Sequence, residues 1–167
     1  MSAEDEAGPS QVADADTSFE VFLYMYDLSK ELAKTITPTL LGKELPGVYH
    51  TSIVVHGMEY FFGSMGVVSC PVGNTNLQAP DRIISLGRSE LTLGVFSDYL
   101  CEIGESSYSG TTYNMFHHNC NNFSQDVALF LTGNSIPPEV LEMPSEFLDT
   151  PLGNSLAAHY ENIMKDL

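Results

Sequence analysis

Tyr113-Asn114-Met115-Phe116-His117-His118-Asn119-Cys120-Asn121-Asn122-Phe123-Ser124-Gln125-Asp126-Val127-Ala128-Leu129-Phe130-Leu131-Thr132-Gly133 reads as a short strand, Tyr113 to Phe116, running directly into a helix. Phe123, Val127, Phe130 and Leu131 recur at i, i+4, i+7 and i+8, one face of a 3.6-residue period expected to be buried, while Ser124, Gln125 and Asp126 lie toward the other side. Asn119 is suited to the N-cap and Gly133 to a left-handed residue just past the end. Cys120 therefore falls in the first helical turn, beside unpaired backbone N–H groups and the positive end of the helix dipole.

That position has chemical consequences because the thiolate, not the thiol, is the nucleophile. A helix N-terminus with an imidazolium nearby lowers a cysteine pKa from about 8.5 to roughly 3.5–7.5. The same residue type also serves as a small buried hydrophobe. The pattern by itself leaves both roles open.

Composition narrows the surroundings. With 167 residues the chain is long enough for one domain with a substantial core, and 43% hydrophobic content fits a globular protein. Six Lys and Arg against 22 Asp and Glu give a formal charge of −16, which disfavours nucleic-acid backbones and anionic membrane surfaces as partners. Cys70, Cys101 and Cys120 are odd in number and widely spaced, so neither a disulfide framework nor a common zinc signature is present. A zinc site from Cys70, Cys101, His117 and Cys120 is the remaining metal arrangement; none is expected, nor any cofactor. No apolar run reaches membrane-spanning length, and the N-terminus carries acids where a signal peptide has bases, so a reducing intracellular setting is expected.

Residues 1–17 hold five acids and no base, and are expected to be a disordered acidic tail ahead of one domain over 18–167. Phe19 to Tyr26 reads as a strand apolar on both faces, and Asp27 as the cap of a helix carrying Leu28, Leu32 and Ile36. Val48 to Val55 and Met58 to Phe62 form a hairpin through His56-Gly57, with His56 expected at an exposed tip and His50 on the first strand. Gly63-Ser64-Met65-Gly66 opens what reads as a long connection to a short strand around Ile83 to Leu86. Thr92 caps a helix with an apolar stripe of Val95, Phe96, Tyr99, Leu100 and Ile103 that ends at Gly104; Cys101 beside it reads as structural. A turn of helix at Ser145 to Leu148 and a final helix from Pro151, capped by Thr150, complete an α+β domain: a small antiparallel sheet packed with helices.

A cysteine nucleophile needs an imidazole to take its proton and return it to the leaving group, and donors for the oxyanion. His50, His117 and His118 are the candidates, and spacing does not choose among them. Tyr26-Asp27-Leu28-Ser29-Lys30, Gly47-Val48-Tyr49-His50-Thr51-Ser52-Ile53-Val54-Val55, Phe62-Gly63-Ser64, His118-Asn119-Cys120-Asn121-Asn122-Phe123-Ser124 and Phe130-Leu131-Thr132-Gly133 closely resemble the PPPDE family. The resemblance runs from about Val21 to Leu156.

It implies a permuted papain-like fold in which histidine precedes cysteine, with Cys120 as nucleophile and His50 as general base and acid in a dyad. The Cys120 backbone N–H is the implied oxyanion donor, with Asn119 in support, and no metal or cofactor is implied. The implied reaction is removal of SUMO, or a related ubiquitin-like modifier, from substrate lysines. A Gly-Gly tail asks for a narrow slot, for which the small residues Gly63 and Ser64 are candidates. Family membership further implies a homodimer with the groove near the subunit interface, in the cytoplasm by default and open to the nucleus. The same thiol chemistry would cleave a protein S-acyl thioester. A non-catalytic adaptor for ubiquitin-like proteins is the reading from a different class.

Overall fold

A computed structural model describes residues 17–28, 48–77, 79–141, 151 and 153–155. The helix expected after Asp27 and the one at Ser145 to Leu148 lie outside those residues, as does most of the final helix, of which residues 151 and 153–155 are helical. Five strands come first: β1 (Phe19–Asp27), β2 (Tyr49–Val55), β3 (Met58–Gly63), β4 (Gly66–Pro71) and β5 (Arg82–Ser89). Then follow α1 (Leu93–Glu105), a 3-10 turn (Gly110–Thr112), α2 (Cys120–Thr132) and the short α3 (Pro138–Leu141). The sheet order is β4-β3-β2-β1-β5 with every neighbouring pair antiparallel, so the domain is α+β as expected.

Alternation along β1 sends Val21, Leu23 and Met25 to the main core, where they meet Ile53 and Val55 of β2, Phe62 of β3, and Phe123, Val127 and Leu131 of α2. Tyr26, paired with His50 across the β1–β2 ladder, belongs to the opposite face. The hairpin between β2 and β3 turns on His56 (φ 52°) and Gly57 (φ 75°), both left-handed as a type I′ turn requires. His56 is not exposed at its tip. The ring packs on Phe19 at a centroid distance of 4.2 Å.

The connection expected after Gly63 is mostly β4. Gly63 pairs with Gly66 across a two-residue turn, and the ladder runs on to Met58 and Pro71. The glycines that read as loop punctuation instead close a hairpin, and the β-branched pair Val67-Val68 was the strand signal they obscured. Tyr113 to Phe116 is likewise not a strand. Asn114 Oδ1 accepts the backbone N–H groups of Phe116 and His117, each at 3.0 Å, folding the segment into a turn closed by a bridge between Asn114 and His118. Helix α1 runs one residue past Gly104, which lies beside Val67 of β4.

Helix α2 begins and ends where its caps predict: Asn119 is the N-cap and Gly133 sits at φ 73°. Its buried face is Cys120, Asn121, Phe123, Ser124, Val127, Ala128 and Leu131, without Phe130. At about 100° per residue this face centres between Val127 and Leu131, which leaves Phe130 roughly 90° from the centre. Phe130 is 37% exposed and stacks on Tyr99 of α1 at 3.7 Å between centroids. Phe130→Asp is therefore expected to fold and to lose only that stack, about 1 kcal/mol in urea denaturation. An unfolded Phe130→Asp protein would contradict this placement.

Candidate active site

The start of α2 is unusually well tied down. Asn119 Oδ1 accepts the Asn121 N–H at 2.9 Å, and Asn122 Oδ1 accepts the Asn119 N–H at 2.9 Å, so Asn122 fills the place a Glu or Gln usually takes in a capping box. Asn119 Nδ2 donates to the Met115 carbonyl at 2.7 Å, joining the cap to the preceding turn. Cys120 is thereby held in the first turn, with no solvent exposure, among Leu28, Val48, Phe61 and Met115.

His50 is the second residue of β2 and is also fully buried. Its ring lies edge-on to Phe61 at 5.5 Å and tilted against Tyr26 at 5.8 Å. Phe61 is thus a shared neighbour: it touches the His50 ring and belongs to the apolar cluster that encloses Cys120. Neither His50 ring nitrogen has a hydrogen-bond partner among the described residues. Burial pushes the His50 pKa down to about 3, so the imidazole is neutral at physiological pH and can accept a proton.

The other candidate histidines are placed differently. His118 stacks on Tyr108 at 4.7 Å, sets Nδ1 3.1 Å from the Thr112 carbonyl and meets Phe62 edge-on, which ties it to the main core. His117 is exposed on the turn. Of the three, His50 alone is fully buried.

The remaining cysteines make poor rivals. Burial, and then the charge of Glu59, raises the Cys70 pKa, and Cys101 is exposed on α1. Among the described residues no group of three or more His, Cys, Asp or Glu is placed to hold a metal ion. Gly63 ends β3 and Ser64 opens the turn after it, where a Cβ on Gly110 of the 3-10 turn would lie 2.5 Å from the Ser64 carbonyl oxygen.

Two features escaped the sequence reading. The first is a buried carboxylate on the His50 side of the sheet: Glu59 Oε1 accepts the hydroxyls of Tyr26 and Ser52, each at 2.6 Å, and Oε2 accepts the Gly73 N–H at 3.3 Å. The Tyr26 pKa is raised by burial and by Glu59, so the phenol keeps its proton and donates it to the carboxylate. The second is Asn121. It is buried, and the Cys120 thiol donates to its Oδ1 at 3.6 Å.

The sequence over residues 19–161 matches the family model described as "PPPDE putative peptidase domain". Human desumoylating isopeptidase 1 is 50% identical over 145 residues, which cover 87% of this chain and 86% of that protein. The Xenopus laevis desumoylating isopeptidase 1 is 50% identical over 136 residues, 81% of this chain and 80% of the relative. The DeSI-like protein sdu1 of Schizosaccharomyces pombe is 25% identical over 156 residues, 89% of this chain and 76% of that protein.

Proposed function

Because the chain belongs to the PPPDE peptidase family, we propose that it is a cysteine isopeptidase that removes SUMO, or a related ubiquitin-like modifier, from lysines of target proteins. The observation that supports the reading is that Phe61 meets the ring of a neutral His50 edge-on and belongs to the same buried cluster as Cys120, in the first turn of α2. In this mechanism His50 takes the thiol proton as Cys120 Sγ attacks the carbonyl of the modifier's C-terminal glycine. The Cys120 N–H, in the first turn of α2 at the positive end of the helix dipole, is the proposed donor for the oxyanion, and Asn119 fixes that turn. Protonated His50 then delivers its proton to the departing lysine amine. Water, deprotonated by His50, hydrolyses the thioester and restores the thiol.

Specificity follows from enclosure. Cys120 has no solvent exposure, so an acyl group reaches the sulfur only when neighbouring side chains shift, and a tail of two glycines needs the smallest opening. Gly63 and Ser64 are the proposed slot wall. Homodimer formation and a cytoplasmic setting complete the proposal. The apolar enclosure of Cys120 by Leu28, Val48, Phe61 and Met115 also suits an acyl chain, which keeps S-acyl thioester hydrolysis as the second reading.

The test is a reaction of the purified protein with electrophile-tipped SUMO and ubiquitin probes beside a fluorogenic S-acyl substrate. A covalent SUMO adduct at Cys120, identified by mass spectrometry, is expected. Turnover of the S-acyl substrate alone would make the protein a thioesterase. A folded protein inert to all three would be an adaptor.

A further inference from the structure

Thr51 follows His50 on β2, and Asn121 follows Cys120 on α2; these two buried side chains meet. Thr51 Oγ1 lies 2.9 Å from Asn121 Oδ1, 2.9 Å from Ser124 Oγ and 3.5 Å from the Cys120 carbonyl oxygen. Asn121 Nδ2 donates to the Tyr49 carbonyl at 3.2 Å and to the Val140 carbonyl at 3.1 Å. Both of those partners are pure acceptors, so the amide cannot be turned round without setting oxygen against oxygen. Its Oδ1 is therefore fixed toward the Thr51 hydroxyl and the Cys120 thiol.

We propose that Thr51 and Asn121 form a positioning clamp that sets Cys120 in register with His50 and shares the amide oxygen between the Thr51 hydroxyl and the thiol. The inference rests on the isopeptidase reading and adds to it the third and fourth side chains of the working site. Neither residue touches the scissile bond. Thr51 joins the strand that carries the base to the helix that carries the nucleophile, in a fully buried place where a polar group left without a partner is costly. It also draws on the acceptor that holds the thiol proton. Removing the Thr51 hydroxyl leaves Oδ1 with one donor fewer, strengthens its hold on the S–H group and makes the thiol harder to ionise. Among the described residues, the titratable side chains that pack on the cluster holding the sulfur are His50 from β2, through Phe61, Cys70 from β4 and Tyr113 from the turn before α2, with Glu59 of β3 beside Cys70. A change confined to Thr51 leaves all of them in place.

The experiment compares wild-type, Thr51→Val and Thr51→Ser proteins in three measurements: cleavage of a SUMO C-terminal fluorogenic substrate, the pH dependence of Cys120 alkylation by iodoacetamide read by mass spectrometry, and thermal unfolding. Thr51→Val is expected to lower kcat by about 10- to 100-fold, with KM within about twofold, because the cost is one of geometry. Its alkylation midpoint is expected to move to higher pH. Thr51→Ser, which keeps the hydroxyl, is expected to restore both. Thr51→Ala carries the same prediction and serves if the valine protein does not fold. A lower melting temperature with unchanged kcat and an unchanged alkylation midpoint would make the clamp structural only, and a serine variant as impaired as the valine variant would assign the effect to the methyl group. Should wild-type protein leave the SUMO substrate intact, the isopeptidase reading fails while the alkylation midpoints still decide the clamp.

Discussion

Cys120→Ser is expected to abolish isopeptide cleavage, by roughly 10⁴-fold or more, and His50→Ala to lower it by about 10²- to 10⁴-fold. The two losses differ in kind. A serine hydroxyl in the same first turn is far less acidic than a thiol, and the neutral imidazole beside it is too weak a base to activate it. Loss of His50 leaves the thiol in place, so turnover should recover partly as pH rises and the thiol ionises without help. Since nucleophile and base act as one unit, the double variant should be no slower than Cys120→Ser alone. Cys101→Ser, on the exposed side of α1, is the control expected to match wild type. Single-turnover assays with a SUMO–lysine isopeptide substrate make the comparison. Residual cleavage by Cys120→Ser at wild-type rate would remove Cys120 from the mechanism, and an unaffected His50→Ala protein would transfer the proton to another group.

Elements with local signals were legible in the sequence. Helix α2 could be read end to end because Asn119, the apolar period and Gly133 agree, and the β2–β3 hairpin because His56-Gly57 accepts two left-handed residues. Helix α1 was legible for the same reason: Thr92 accepts the Val95 N–H at 3.4 Å, and Phe96 is the buried centre of its stripe. Strand β4 was hidden because Gly63 and Gly66 serve a hairpin and a loop equally well, and only pairing with β3 decides. Phe130 was misplaced because a 3.6-residue period gives the direction of an apolar face but not its width.

The site divides along the same line. Cys120 at a helix start is a local property, whereas the preference for His50 over His117 and His118 depends on the sheet bringing Phe61 against the proposed base and into the cluster around the proposed nucleophile. Asn121 and Thr51 carried no signal at all. An Asn after a helix cap and a Thr in a β-branched strand are ordinary residues until 70 positions of separation are folded to 2.9 Å. The protonation state was the property least accessible from sequence. A histidine on a strand gives no sign of its charge until the fold places it, and only the complete enclosure of His50 holds the imidazole neutral.

That enclosure has a thermodynamic signature. His50 is fully buried with its pKa lowered to about 3, whereas in the unfolded chain it titrates near 6.5. Between those values the unfolded state binds a proton that the folded state refuses, so stability is retained above about pH 6.5 and falls as pH drops, by up to about 1.4 kcal/mol per unit. At pH 4.5 the deficit is roughly 3 kcal/mol, and it approaches about 5 kcal/mol near pH 3. The rest of the chain pulls the other way: with a formal charge of −16, protonating carboxylates relieves repulsion in the compact state. The acid dependence of wild type alone therefore mixes two opposing slopes. A His50→Leu variant separates them, because the carboxylates and His56, His117 and His118 are common to both proteins. Urea denaturation from pH 7.5 to 4.5 is expected to show a stability difference that is flat above pH 7 and then turns steadily in favour of the leucine variant. Parallel curves would mean that folded His50 takes up a proton as readily as unfolded His50. The neutral resting imidazole would then be wrong, and burial would not be what sets the protonation of His50.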